Sequence, residues 1–442
     1  MISLKTNYRW VVVLMVFIIT VINYIDRAAI AFAMPLLSKQ FHLTPADVGL
    51  TLGAFNMGYA IMVFVGGVMV DRWGSRRIWL LAALVWSLSI VSTAAATGFT
   101  MLYIVRMTLG VAEGPNFPAL NRVVGDWLPS KERSLALGNA LVGVPIALAF
   151  GGLIVAYLAT AFSWQGMFVI LGVLGLVWAP VWYFVFRDFP ENSKNVNDAE
   201  LKYIRETDKV SRVSEHDIRR KAHATQPGMW KFLLTNPTLL SNDWAFFVFG
   251  YNLFFFMGWL PTYLNTTYHM NLSQVGSFTF LPWITAAIML YVVGIVSNRI
   301  LKSTGSYRKA RSHPLWITQL LGAICLLPIL YYHSVFVALI SISLCVGFNM
   351  APNTIFYAVN IDIIKERSGT AMGITDLFFA IAGLIAATLT GFIIQLTGSF
   401  QGAFILVIAL NISSVIGVIL FHNPDREISK ASKQTKQVAE TL

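Results

Sequence analysis

Runs of about twenty apolar residues recur along almost the whole chain, and this repetition constrains the fold more than any other feature. One run is Trp10 to Ile25; another is Ala403 to Phe421. A helix of about 20 residues crosses the roughly 30 Å hydrocarbon layer of a bilayer. In lipid no water satisfies the backbone, so only helices or closed barrels cross it. Barrel strands are short and alternate in polarity, whereas these runs are long and uniformly apolar. The spacing predicts twelve spans, over 10–33, 47–70, 78–97, 100–124, 134–160, 164–186, 238–264, 273–298, 313–332, 335–361, 369–396 and 402–421. Only 12% of the residues are charged, about half the share usual in soluble proteins.

The positive charge sets the orientation. A net charge of +11 on a soluble protein would raise nucleic acid as a partner; here the bases sit in the loops. With the N-terminus in the cytoplasm, nearly all of the 32 Lys and Arg residues fall on the cytoplasmic side. Lys39 alone lies in an outer loop, and Arg27 and Arg106 lie within spans. Both termini are therefore expected in the cytoplasm. The first run carries Asp26 and Arg27 and leads straight into a second, so no cleavable signal peptide is expected. Cys325 and Cys345 both lie in apolar runs, which suggests neither a disulfide framework nor a metal site. No cofactor is expected.

The chain reads as two related halves. Residues 1–186 form an N-terminal six-helix bundle, 187–237 a charged linker, 238–421 a C-terminal six-helix bundle and 422–442 a tail. Gly67-x-x-x-Asp71-Arg72 after the second span recurs as Gly294-x-x-x-Asn298-Arg299 after the eighth. Lys131-Glu132-Arg133-Ser134 after the fourth recurs as Lys365-Glu366-Arg367-Ser368 after the tenth. Inverted or parallel internal repeats are the mark of many transporter folds.

Inserting an ionisable side chain at the centre of a membrane helix costs about 2.5–3.5 kcal/mol. Such residues face a cavity or a partner. Asp26 and Arg27 in the first span, with Arg106 and Glu113 in the fourth, are therefore the candidate site. Seven residues separate the latter two, so they share a helix face about 10 Å from end to end. Two acids and two bases allow two readings: structural ion pairs across helices, or arginines that hold an anion beside acids that exchange protons. A guanidinium fork suits a carboxylate because it donates two parallel hydrogen bonds. In the second half, Asp376 lies in the eleventh span without a basic neighbour in that span, as a proton site, a cation ligand or a neutral acid. Asp243, near the start of the seventh, reads as a helix N-cap. Pro145, Pro261, Pro282 and Pro352 are candidate breaks or bends.

Gly67-x-x-x-Asp71-Arg72-x-Gly74-x-Arg76-Arg77 resembles the cytoplasmic loop signature of the major facilitator superfamily, and Arg106-x-x-x-Gly110-x-x-Glu113-Gly114 its fourth-helix signature. Asn23-Tyr24-Ile25-Asp26-Arg27, Glu113-Gly114-Pro115-Asn116-Phe117-Pro118 and Trp127-Leu128-Pro129-Ser130-Lys131-Glu132-Arg133 resemble the anion:cation symporter family. That family includes bacterial galactonate, hexuronate and glucarate transporters and sialin-like carriers. The resemblance implies an all-α membrane protein of twelve transmembrane helices in two pseudo-symmetric six-helix bundles. It implies proton-coupled symport of a small organic anion, a sugar acid or related carboxylate, by alternating access. Asp26 and Glu113 would carry protons; Asp376 is a further candidate proton site from its own chemistry, not from the resemblance. Arg27 would hold the substrate carboxylate, Arg106 would tune Glu113 and help bind the anion, and Tyr24 would line the site through its hydroxyl. Asp71 and Arg72 would form a gate. Partners would be the anion, protons and the bilayer, with the protein a monomer. The short outer loops point to a bacterial inner membrane.

Two positions depart from the sugar-acid members: Val142-Gly143-Val144-Pro145 stands where a polar fifth-helix residue is expected, and Asp376 where Asn is expected. The substrate stays open on both counts. The alternatives are a proton-driven exporter or exchanger of a metabolite, siderophore or drug, and a non-transporting membrane receptor. No nucleotide loop, metal-ligand spacing or nucleophile with a base points to an enzyme.

Overall fold

The computed structural model describes residues 6–205, 229–364 and 368–429. The middle of the linker, most of the second Lys-Glu-Arg-Ser element and the end of the tail lie outside the described residues. Every regular element among the described residues is helical. The first three spans are Tyr8–Phe41, Pro45–Trp73 and Ser75–Thr93. The fourth is two helices, Phe99–Glu113 and Asn116–Trp127, parted at Gly114-Pro115. The fifth and sixth follow the short helix Ser130–Leu141 inside one run, Gly143–Val185, which reverses at Ser163 with φ 65° and ψ 167°. The seventh is Pro237–Tyr268, the eighth Leu272–Thr304 and the ninth His313–Leu326. The tenth is again two helices, Val335–Met350 and Asn353–Ile363, and the last two are Ser368–Thr397 and Gln401–Phe421. This is an all-α membrane protein of twelve crossings.

The prolines act differently from one another. Pro352 lies in the break of the tenth span, but the helices run unbroken through Pro261 and Pro282. Neighbouring helices tolerate proline in a membrane span by satisfying the freed backbone groups. At the turn after the first span, Thr44 and Asp47 form a reciprocal capping box with Pro45 at the first helical position.

Polarity runs inside out. Ile61, Leu81, Ile104, Val177 and Phe184 are exposed, while Asn23, Asp26, Arg27, Arg106 and Glu113 are buried. Lipid is as apolar as leucine, so close packing of small residues and internal polar contacts hold such helices together. By contact the chain divides into two compact units. The first is the described part of Met1–Lys221 together with Met257–Phe280; the second is the described part of Ala222–Phe256 together with Leu281–Leu442. Inside the first unit, the second and fourth spans touch backbone to backbone. A Cβ on Gly110 would lie 2.0 Å from the Phe55 carbonyl oxygen, and one on Gly58 2.2 Å from that of Met107. The same unit brings Gly276 against Gly152, where a Cβ on Gly276 would lie 2.7 Å from the Gly152 carbonyl oxygen.

The internal repeat also shows in contacts that the sequence motifs do not contain. Glu200, after the sixth span, accepts from the backbone N–H of Arg9 at the start of the first. Glu427, after the twelfth, accepts from the side-chain amide of Asn236 at the start of the seventh. Both pairs are separated by 191 residues. Asp188 accepts from the backbone N–H of Arg76 at the start of the third span, and Asp425 from that of Tyr307 before the ninth. Each unit therefore ends in an acidic segment that ties down two helix starts. Arg9 also reaches Glu132 at 2.9 Å, and the Tyr203 hydroxyl donates to Glu132 at 2.6 Å. The first part of the linker, up to Arg205, is thus docked on the first unit rather than running free in solvent.

Gly110→Val should force the second and fourth spans apart and destabilise the protein by about 1–3 kcal/mol. Unfolding in detergent, followed by circular dichroism, measures this; an unchanged transition would contradict the close crossing.

Candidate functional site

The fourth span places Gly110 and Gly114 against the second, where Cβ atoms would strike the backbone of Phe55 and Met62. Arg106 lies one turn before Gly110, and Glu113 lies immediately before the Gly114-Pro115 break. Beyond the break Asn116 is fixed in turn, because its side-chain oxygen accepts from the Trp79 indole N–H at 2.9 Å. From this crossing Arg106 lies over Phe55 of the second span, and Glu113 reaches the first.

There Glu113 meets Arg27. Arg27 Nε donates to Glu113 Oε2 at 2.6 Å, and both side chains are almost wholly enclosed, at 2% and 0% exposure. The guanidinium lies over three rings, with its carbon 4.9 Å from the Tyr24 centroid, 4.8 Å from Phe55 and 5.0 Å from Tyr59. Arg106 lies 5.1 Å from the other side of the same cluster, over Phe55. A cation facing an aromatic ring gains about 0.5–2 kcal/mol, more as water is excluded. Tyr24 is in turn wedged edge-on against Phe117 at 6.4 Å. It presents its ring to Arg27.

Several charged atoms here are buried without a hydrogen-bond partner among the described residues: both carboxylate oxygens of Asp26, Nη2 of Arg27 and Nε of Arg106. Buried polar groups in native proteins are nearly always paired. Such a patch, with donors and acceptors to spare, is a candidate site for a polar ligand.

The sequence-predicted residues sort into three groups. Tyr24, Arg27 and Glu113 come together directly, with Arg106 joined through Phe55 and Asp26 buried next to Arg27 in the chain. Glu113 takes its ion pair from Arg27, so the Arg106–Glu113 helix face is not where the short contact forms. Asp71 and Arg72 lie elsewhere. Asp71 is exposed and held at 2.9 Å by Arg122, which also pairs with Asp126, while Arg72 lies over the Trp73 ring at 5.5 Å. Asp376 belongs to the other unit, half-buried, and accepts from the Tyr357 hydroxyl at 3.2 Å.

Phe55 and Tyr59 were not legible as site residues. They stand four apart on the second span and so share a helix face, but aromatic residues fill many of the spans and nothing marks these two. In the seventh span Phe254 packs against Phe379 and Phe255 against Phe404, all within the second unit.

Twelve helical crossings around an enclosed cluster of charged side chains are the build of a membrane transporter, and the comparisons place the chain in that class. More narrowly, it is a member of the Major Facilitator Superfamily, whose sequence profile matches residues 16–352 and again 306–441. It is 32% identical to the hexuronate transporter of Bacillus subtilis, over 93% of this chain and 94% of that one. It is 29% identical to a probable sulfoacetate transporter of Cupriavidus necator, over 95% of each chain. It is 28% identical to the D-galactonate transporter of Escherichia coli, over 93% of this chain and 95% of that one. Among solved structures, a bacterial homologue of the human lysosomal transporter Spinster, inward-facing and unoccupied, superposes with a TM-score of 0.71 at 17% identity, over 95% of each chain. That likeness concerns the fold.

Removing one partner of a buried ion pair strands the other and typically costs 3–5 kcal/mol, whereas apolar replacement of both is often near neutral. Glu113→Ala should therefore destabilise the protein by about 3–5 kcal/mol, and adding Arg27→Met should restore most of that loss. Thermal unfolding of the single and double variants checks it; a neutral single variant would mean that the pair is open to water.

Proposed function

We propose that this chain is a secondary active transporter that carries a small organic anion, a sugar acid or related carboxylate, together with protons by alternating access. The observation that carries this reading is the enclosed Arg27–Glu113 pair beside unpartnered atoms of Asp26 and Arg106. The relatives support the choice of cargo. Their names specify hexuronate, sulfoacetate, galactarate or D-glucarate, and D-galactonate, all small organic anions.

The anion and the ionised Glu113 carboxylate compete for the same guanidinium. While Glu113 is ionised, it occupies the Nε edge of Arg27. A proton on Glu113 removes that charge and weakens its hold. Arg27 then offers a two-pronged donor edge to an incoming carboxylate, with Arg106 beside it as a second donor. The aromatic faces of Tyr24, Phe55 and Tyr59 keep both guanidinium groups in place during the exchange. Release runs in reverse: loss of the proton restores the Arg27–Glu113 pair and displaces the anion. Asp26, buried beside them without a hydrogen-bond partner, takes up a further proton in this scheme. Asp376 adds a third acid in the second unit, and Asp71 and Arg72 act at the linker end of the first as a gate. The protein works as a monomer in a bacterial inner membrane with both termini cytoplasmic.

The test is uptake into liposomes under an acid-outside gradient, with hexuronate, galactonate, glucarate and sulfoacetate as cargo. Accumulation should collapse on adding an uncoupler. Uptake that instead requires preloaded counter-substrate identifies an exchanger, and binding without flux identifies a receptor. Arg27→Ala should abolish substrate binding in calorimetry, and normal affinity would remove it from the site. Glu113→Gln should retain exchange and lose gradient-driven accumulation; unchanged accumulation would move proton coupling to Asp26 or Asp376.

A further inference from the structure

At the linker end of the first unit two arginines meet at one backbone atom. Arg76 stands in the first turn of the third span, and Arg187 follows the end of the sixth. The Tyr183 carbonyl oxygen accepts from Arg76 Nε at 2.9 Å and from Arg187 Nη1 at 3.2 Å. Arg187 Nη1 also donates to the carbonyls of Phe184 and Phe186, both at 2.9 Å. The last carbonyls of a helix have no partner inside it, so Arg187 caps the sixth span with a single nitrogen. The Arg76 guanidinium lies over the Tyr183 ring, its carbon 4.0 Å from the centroid.

Most of the donor capacity is left over. A guanidinium carries five N–H groups. Among the described residues, Nη1 and Nη2 of Arg76 and Nε and Nη2 of Arg187 have no hydrogen-bond partner, and neither arginine forms an ion pair. Both side chains are half-buried at the surface, and Arg77 beside them is exposed. The acids nearby are committed elsewhere. Asp188 accepts from the backbone N–H of Arg76 and lies against Gly74, Glu191 pairs with Arg205, and Asp71 pairs with Arg122. Positive charges gathered in this way repel one another unless an anion joins them.

The acid anchor does not require the arginines. In the second unit Asp425 accepts from the backbone N–H of Tyr307 as Asp188 does from that of Arg76. There Tyr307 stands in place of Arg76, and Pro424 in place of Arg187. The pair is therefore an addition of the first unit to a contact that both units share.

The surface beside the pair is apolar. The third and sixth spans pack through Trp79 against Trp178 and Trp182. Leu81, Val85 and Leu88 on the third and Val177, Val181 and Phe184 on the sixth are exposed. Steps of four and three residues put each set on one helix face. Phe184 is 71% exposed and follows directly on Tyr183, at the level of the guanidinium groups.

We propose that Arg76 and Arg187 bind the phosphodiester of an anionic phospholipid, whose acyl chains lie along the exposed faces of the third and sixth spans. Guanidinium suits phosphate because it donates two parallel hydrogen bonds. Arg77 adds charge that favours a net-negative headgroup over a zwitterionic one. The adjoining apolar faces select a lipid over a free phosphate. The inference goes beyond the transport reading, uses the lipid-facing surface of the first unit, and holds whatever the cargo is.

The full chain in detergent, titrated with phosphatidylglycerol and weighed intact by native mass spectrometry, tests it. Wild type should bind the first phosphatidylglycerol about tenfold more tightly than phosphatidylcholine; equal binding of the two would overturn the proposal. The Arg76→Gln/Arg187→Gln double variant should lose that preference, and Arg308→Gln, at the matching end of the second unit, should keep it. A preference that survives in the double variant, or falls equally in Arg308→Gln, would also overturn it. Arg76→Gln alone leaves the cap of the sixth span in place and should weaken the lipid about fivefold; unchanged affinity there counts against the site even if the double variant does not fold. If inorganic phosphate displaces the lipid at the same concentration, the arginines hold a free anion and the lipid assignment falls.

Discussion

The contact between Arg27 and Glu113 constrains everything around it. A carboxylate and a guanidinium placed among apolar helices each lose the hydration that stabilised them, and their mutual attraction repays this only if the geometry is good. Here the first span must bring Arg27, and the fourth Glu113, to within 2.6 Å. Two devices make that approach. Glycines at 58 and 110 let the second and fourth spans cross at backbone distance. Rings at Tyr24, Phe55 and Tyr59 then surround the guanidinium where water would otherwise stand. The pair is satisfied at the Nε edge of Arg27, while Nη2 of the same guanidinium has no hydrogen-bond partner among the described residues.

The twelve crossings were legible because hydrophobic length is a local property. Lipid demands about twenty apolar residues whatever the neighbours do. The four charges were legible for the converse reason: each violates the surrounding composition. Positions within helices were read less well. The break at Gly114-Pro115 was not anticipated, and Pro261 and Pro282 do not break the helices they sit in. Whether a proline interrupts a span depends on what neighbouring helices donate to the freed carbonyls, and that is a tertiary fact. The partner of Glu113 was left open for the same reason: spacing along one helix puts Arg106 and Glu113 on one face but says nothing of another helix arriving with Arg27. Phe55 and Tyr59 carry no excess charge, so no cost marks them in the sequence.

The repeat is deeper in the structure than in the motifs. Glu200 and Glu427 tie the first helix of their units through different chemistry, an arginine and backbone N–H in one case and an asparagine amide in the other. The equal separation of 191 residues in both pairs preserves the position of the acid while the donor changes. Sequence comparison of the halves sees unlike residues at 9 and 236; geometry sees one role filled twice.

The two units nonetheless place buried acid against different partners. In the first, Glu113 accepts from the Arg27 guanidinium. In the second, Asp243 accepts from the Thr375 hydroxyl, which accepts in turn from the Asn360 amide. Asp243 is not the N-cap of its helix; Asn236 is, its side-chain oxygen accepting from the backbone N–H groups of Thr238 and Leu239. Among the described residues, pseudo-symmetric helices thus carry unlike polar interiors: a buried ion pair in one unit, and an acid backed by a chain of neutral donors in the other.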